Sequence, residues 1–310
     1  MRILFATDLH GSGKCWRKFI NSGMYYNVDV LVLGGDMTGK AMVPIIEQAD
    51  GTFKANFMER DFVFRSSMEL EVFKQKLDTS GFYFHCADAK TIHEIMSNDE
   101  KQKALFLQKM VERIEQWIEF ADERLAGTKI KCYVCPGNDD AFEIDGIIDK
   151  SKCVINCESK VIDIDNCIEM ISSGWSTPTP WKTPRETTEI GLAKKIESLV
   201  SHVDNIESCI FALHDPPRDT NLDIAQAIDA NLKLTAGQTM HVGSSSVREA
   251  IIKHQPLLGL HGHIHESRGF TKLRRTLCIN PGSIYGTGNL QSALIIIDKN
   301  KVKDFILLTG

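Results

Sequence analysis

Five apolar runs along this chain each end in a polar, metal-capable residue, and that repetition narrows the folds open to it. "RILFAT" runs into Asp8-Leu9-His10-Gly11, and "VDVLVLGGD" ends at Asp36. "IKCYVCPGNDD" closes at Asn138, "CIFALHDPP" at His214, and "PLLGLHGHIH" at His263 and His265. Runs apolar on both faces suit strands of a sheet covered on both sides. Between the first two runs, "GKCWRKFINSGMYYN" has the character of a helix, so the chain opens strand, helix, strand. In α/β sheets, ligands bind just beyond the carboxyl ends of strands. The expected fold class is therefore α/β, with five strand ends able to converge. "TLCINPGSIYG" and "SALIIIDKNKVKDFILL" are expected as closing strands, the latter a hairpin turning at Asp298 to Lys301.

Residues 40–130 interrupt the rhythm. "GTFKANFMERDFVFRS" reads as a hairpin. "EKQKALFLQKMVERIEQWIEFADERLAG" carries apolar residues at helical spacing and a final glycine, which predicts one long amphipathic helix. Phe82, Tyr83 and Phe84 read as packing aromatics. We take 40–130 as an insertion within a single 1–310 domain, either capping the site or carrying an interface for a homo-oligomer.

Composition excludes some partners. The net charge of -5 gives no general attraction to nucleic acid or to an anionic membrane. No stretch approaches the roughly 20 apolar residues of a spanning helix, and "MRILFATDLH" lacks a signal peptide's length and cleavage site. The nine cysteines are scattered through apolar stretches and read as reduced thiols of a cytoplasmic protein. Cys132 and Cys135 form a C-x-x-C, but on a strand they point to opposite faces, which disfavours a structural zinc site.

Asp8, His10, Asp36, Asn138, His214, His263 and His265 together offer carboxylate, imidazole and amide ligands. Such a set suits borderline divalent ions: manganese, iron, zinc, nickel or cobalt, with manganese favoured. Seven ligands are too many for one ion; with Asp36 bridging they make two sites. Two ions held close together activate a bridging hydroxide and clamp a phosphate for in-line attack. A lone histidine on an apolar run is usually a core residue. Packing alone, however, has no need of His263 and His265 at alternate positions beside Gly262.

These motifs ("DLH" at 8–10, "GGD" at 34–36, "GND" at 137–139, His214 in "LHDPP", "GHIH" at 262–265 and "NPGS" at 280–283) span nearly the whole chain in order. In them the chain resembles the calcineurin-like metallophosphoesterase family. The resemblance implies a four-layer fold, a β-sandwich flanked by helices (αββα), here with a hairpin-and-helix insertion. It implies one ion on Asp8, His10, Asp36 and His265, and another on Asp36, Asn138, His214 and His263, with His261 outside both sets. It also implies a metal-dependent phosphoric ester hydrolase. Many family members place a histidine directly after the asparagine, where this chain has Asp139. Its loss favours esters with good leaving groups, and because some bacterial and archaeal family members that also lack it look like phosphodiesterases, the resemblance implies a phosphodiesterase acting on a small phosphoester. His241 in "TMHVGSSS" is a substitute acid or phosphate contact, with Ser244 nearby, although a surface-loop histidine is the plainer reading.

Three other readings carry less weight. "GGDMTGKA" nearly matches a phosphate-binding loop, but Ala41 replaces the required hydroxyl and Asp36 would lie in the cradle. A nuclease acting on short or single-stranded nucleic acid lacks a basic face, although "KLRR" at 272–275 lies beyond the metal cluster, where it could reach a phosphate. A non-catalytic scaffold on this fold would not need all seven ligands.

Overall fold

The apolar runs become strands because every residue they carry has a layer to enter. The computed structural model describes residues 1–165, 167–228 and 234–310. The chain opens with β1 (Arg2–Ala6), α1 (Gly13–Tyr25) and β2 (Val30–Leu33). Next come β3 (Met42–Glu47), β4 (Phe53–Phe57), β5 (Arg60–Phe64), α2 (Ser67–Thr79), β6 (Tyr83–Asp88), α3 (Ala89–Met96) and α4 (Asp99–Leu125). The middle holds β7 (Lys131–Val134), α5 (Asp145–Ile148), β8 (Val154–Asn156), β9 (Lys160–Asp165), β10 (Ile168–Ser173) and α6 (Glu189–Val200). The chain closes with β11 (Ile210–Leu213), β12 (Ile224–Ile228), β13 (Leu234–His241), α7 (Ser245–His254), β14 (Leu258–Leu260), β15 (Gly269–Leu273), β16 (Thr276–Asn280), β17 (Gln291–Asp298) and β18 (Lys301–Thr309).

One six-stranded sheet has the order β18-β17-β1-β2-β7-β8, and a second the order β15-β16-β14-β11-β10-β9. Successive side chains on a strand enter different layers. Ile3, Phe5, Val30, Val32, Ile210 and Leu258 meet between the sheets. Leu4, Ala6, Leu31 and Leu33 face outward onto Trp16 and Phe19 of α1 and Ile114 and Trp117 of α4. On the other outer face, Ile171, Phe211 and Leu213 pack on Leu192 and Ile196 of α6 and Val247 and Ile251 of α7. The order of layers is thus helix, sheet, sheet, helix, as the resemblance implies. Cys132 lies in the helix-facing layer and Cys135 between the sheets, so the pair is divided by its own strand. Burying each large apolar side chain contributes roughly 1.5–3 kcal/mol, which makes these layers a firm base for the loops at their edge.

α4 is the expected long helix. Met110, Ile114, Trp117, Ile118, Ala121 and Leu125 recur at helical spacing and are buried. Asn98 caps its start by accepting from the Lys101 amide, and Gly127, at φ +74°, follows its end.

The insertion is more than a hairpin and a helix. β4 and β5 form the expected hairpin, but β3 and β6 join them in a four-stranded sheet ordered β5-β4-β3-β6. Val43, Ile45, Phe57, Phe64 and Phe73 form its own apolar cluster under α2. Pro44 is tolerated inside β3 because pairing with β4 begins only at Ile45.

The basic stretch at 272–275 is also corrected. It forms the turn between β15 and β16, with Arg274 at φ +54°, at the amino end of β16. Lys272 and Arg275 there line a groove of about 640 Å³ with Lys301 and Lys303, whereas the carboxyl ends of the strands face the other way. Among the described residues, no helix is long and apolar enough to cross a membrane.

Candidate metal centre

β1, β2 and β7 run parallel in one sheet, as do β11 and β14 in the other. Parallel strands put their carboxyl ends on one edge, and the loops leaving these five carry the cluster. Asp8 and His10 follow β1, Asp36 follows β2, Asn138 follows β7, His214 follows β11, and His263 and His265 follow β14.

The backbone there is bent hard. Asp8, His10, Asp36 and His263 all have left-handed backbones, with φ of +56°, +41°, +51° and +67°. Such conformations cost on the order of 1–3 kcal/mol each and gather at functional sites. Cross-loop bonds hold them: the Asp8 amide donates to Gly35 O at 3.0 Å, and the His10 amide to Asp36 O at 3.0 Å. The His263 amide donates to Asp8 Oδ1 at 3.2 Å, so "GHIH" is tied to "DLH" directly. Gly262 is required here, since a Cβ would run into Thr7 and the Asp8 carboxylate.

The side chains fall into overlapping groups. Asp8, His10 and His265 form one, Asp36, His214 and His263 a second, and His10, Asp36 and Asp139 a third. His10 Nε2 and His265 Nε2 face each other at 2.9 Å. His214 Nε2 is 3.0 Å from Asn138 Oδ1 and 3.5 Å from Asp36 Oδ2. His214 Nδ1 donates to Gly34 O at 2.8 Å, which turns Nε2 toward the cluster. Asn138 Nδ2 donates to Thr183 Oγ1 at 2.9 Å, which turns its oxygen the same way. Orienting bonds of this kind are typical of metal ligands.

Charge in the cluster is divided sharply. Burial raises the Asp8 carboxyl, but the His265 and His214 charges outweigh it and hold it below the usual carboxylate range. Burial likewise opposes ionisation of Asp36, and His214 reverses that. Burial opposes the charged form of His214, yet Asp36 and Asp8 push it up to about 10. His265 is raised above its ordinary value by Asp8 against the effect of burial. Burial, then the His214 charge, pushes His263 down to about 4, and burial also holds His10 well below its usual value. Two buried carboxylates are therefore set against two imidazoles, His214 and His265, whose charged forms they favour. Two divalent cations in the same space would satisfy both carboxylates and leave all four imidazoles as neutral donors, so the residues fit such ions.

Asp140 locks the loop that carries Asp36. It accepts from the amides of Met37 and Thr38 at 2.9 and 2.8 Å, from Thr38 Oγ1 at 2.7 Å, and from the Gly137 amide at 2.7 Å. Asp139 faces Lys40, whose Nζ is 2.7 Å from its Oδ2. Burial and then the Asp36 charge push the Asp139 carboxyl up to about 6.

The cluster opens on a cleft of about 1010 Å³ whose walls include Lys40, Phe106, Trp181, Arg218 and Met240. His241 lines this cleft at the end of β13, with Nδ1 2.8 Å from Asp223 Oδ1. It is thus not a plain surface-loop histidine, because a buried carboxylate orients it. Ser244 is not brought to the cleft. It is buried at the start of α7, where it accepts from the Val247 amide and donates to Glu189 Oε2 at 2.6 Å, so its hydroxyl serves as a helix cap. His261 is buried outside the cluster, donating to Leu213 O, with Nε2 unpartnered among the described residues. Lys40, Asp140 and Asp223 escaped the sequence reading, and Tyr83, expected only as a packing aromatic, also accepts from the Gly39 amide. Lys40 stood in the open, in the near-miss phosphate loop, and Asp140 in the doubled "DD" after Asn138.

No protein-family model matches the chain. The uncharacterized protein MJ1162 of Methanocaldococcus jannaschii is 31% identical over 193 residues, 61% of this chain and 79% of its own. Among solved structures, TT1561 of Thermus thermophilus matches over 100% of this chain and 97% of its own, with a TM-score of 0.56 at 14% identity. A further crystal structure matches over 99% of this chain and 98% of its own, with a TM-score of 0.60 at 15% identity. These two share the fold along its length.

Proposed function

We propose that the chain is a calcineurin-like metallophosphoesterase, as the resemblance of its motifs implies, and that it hydrolyses phosphodiesters with two divalent ions. The carrying observation is the convergence of Asp8, His10 and His265 with Asp36, His214 and His263 at one edge of the sandwich. Asp36 and Asn138 complete the two ligand sets, with Asp36 shared. Manganese is the ion we favour. When bound, the ions supply an activated water and a positive clamp for the phosphoryl group.

The remaining work falls to this chain's own side chains. Asn138 presents its oxygen to the cluster because Thr183 holds its amide nitrogen. Asp223 engages His241 Nδ1, which leaves Nε2 for the cleft. In this reading His241 acts as an imidazolium, its Nδ1–H held by Asp223, and passes its Nε2 proton to the leaving-group oxygen as the phosphorus–oxygen bond breaks, ending as neutral imidazole. General acid help of this kind is worth roughly 10²–10⁴-fold.

A diester is favoured over a monoester by Asp139, which stands where many relatives carry a histidine. The cleft of about 1010 Å³ has room for organic groups on both sides of a phosphate, and Trp181, Met240 and Phe106 give it apolar walls. Lys40 and Arg218 line it, while Lys272 and Arg275 line the separate groove. That arrangement supports a small diester over a nucleic-acid strand. The test is hydrolysis of paired chromogenic mono- and diesters by metal-stripped protein with manganese restored. Manganese-dependent diester cleavage is expected; preference for the monoester would overturn the diester reading, and no turnover despite bound ions would favour a binding role.

A further inference from the structure

We propose that Lys40 and Asp139 form a charge-selective pair beside the ion cluster, Lys40 meeting a phosphoryl oxygen of the substrate and Asp139 turning away dianionic monoesters. This rests on the phosphoesterase reading above. Both residues line the cleft together with Asp36, Asn138, His263 and His265. Asp139 is fixed through its backbone, whose amide donates to Asp36 Oδ1 at 3.0 Å. Its Oδ2 stands 3.8 Å from His10 Nδ1, a buried nitrogen without a hydrogen-bond partner among the described residues. The Asp139 carboxylate therefore lies between Lys40 and the cluster.

The two partners differ in freedom. Asp139 is short and its side chain is only 16% exposed, whereas the Lys40 side chain is 50% exposed on a long stem. Nζ can leave Asp139 for an anionic oxygen in the cleft; Asp139 cannot follow it.

The loop delivering Lys40 is restrained well beyond what a solvated lysine needs. Asp140 holds the amides of Met37 and Thr38, and the Gly39 amide donates to Tyr83 Oη at 2.8 Å. A Cβ on Gly39 would strike Gly81 O, so the chain passes there only as glycine. Tyr83 belongs to the insertion, which thereby helps to place this cation.

Charge then selects the substrate. Paired, Lys40 and Asp139 cancel. A diester brings one negative charge, which Lys40 balances when it turns to the phosphate. A monoester at neutral pH carries about 1.5 to 2 negative charges. The excess meets the Asp139 carboxylate in a partly buried setting, where like charges repel more strongly than in bulk water. An ordinary exposed ion pair contributes little and would leave substrate choice untouched.

The experiment uses the full chain loaded with manganese and four variants: Asp139→Asn, Lys40→Ala, Lys40→Arg and the double Lys40→Ala/Asp139→Asn. Bound manganese is counted for each, inorganic phosphate affinity is measured by calorimetry, and kcat and KM are measured on the chromogenic monoester and diester. Asp139→Asn should keep its ions, bind phosphate about tenfold tighter and raise the monoester-to-diester ratio of kcat/KM by a similar factor, the worth of one charge-assisted hydrogen bond. Lys40→Ala should weaken phosphate binding about tenfold, Lys40→Arg should recover most of it, and the double variant should lose the gain of Asp139→Asn. Asp139→Asn leaving both phosphate affinity and the ratio within twofold of the parent would overturn the proposal, as would loss of an ion, which would make Asp139 a ligand. If the parent cleaves neither ester, the phosphoesterase reading fails, and the phosphate titrations alone still decide the pair.

Discussion

The strand-end edge and the inserted sheet solve opposite problems. At the edge, carboxylates and imidazoles are buried against one another, four of them on left-handed backbone, and the arrangement holds only because two apolar sheets fix the loops beneath. In the insertion, residues 40–86 bury Val43, Ile45, Phe57 and Phe73 in an apolar cluster drawn wholly from residues 43–86. The insertion reaches the cleft through few side chains, among them Lys40, Phe106 and Met110 on its margins, with Tyr83 bracing Gly39. The edge carries strained backbone and buried polar groups at the expense of local stability; the insertion packs an apolar cluster of its own and lines one margin of the cleft.

The contrast can be broken by substitution, and the largest effect belongs to the edge. Asp36→Asn removes the carboxylate common to both ligand sets and should lower diester kcat by on the order of 10³-fold or more, at least the loss seen when one preorganised charge stabiliser is removed. Steady-state kinetics on manganese-loaded protein check this. Phe73→Ala should cost the inserted sheet about 3–5 kcal/mol, the range for a buried aromatic. Denaturant unfolding checks the loss, and the manganese count should stay unchanged; falling metal content would mean that the two regions are not separable. His241→Ala should lower kcat by roughly 10²-fold while leaving the ions in place, and unchanged turnover would remove His241 from the reaction. The smallest effect is expected from Tyr83→Phe, which leaves the Gly39 amide without its acceptor and should cost about 1 kcal/mol, read as a lower melting temperature.

The same contrast explains what could be read from the sequence. The edge was legible because each of its strands is an apolar run stopped by a polar residue of distinctive chemistry, a pattern that is local. Asp8, His10, Asp36, Asn138, His214, His263 and His265 all lie at such stops, and all seven converge. Asp140, Lys40 and Asp223 were not legible, because their roles depend on partners set by the fold: Asp140 on Met37 and Thr38, Lys40 on Asp139, and Asp223 on His241. In the insertion, the hairpin of β4 and β5 was legible from its alternation. β3 and β6 were not, since they pair in parallel across some forty residues and β3 contains Pro44. Ser244 misled because a serine beside a candidate histidine looks the same whether it caps a helix or faces a substrate.

The central claim is that the edge holds two ions and that both are needed for hydrolysis. The most direct measurement is titration of metal-stripped protein with manganese, following bound ions and chromogenic diester cleavage in the same samples. Saturation at two ions per chain, with cleavage rising to its maximum only as the second is filled, is the predicted result. Full cleavage with one ion or none, or a chain that binds no manganese at all, would contradict it.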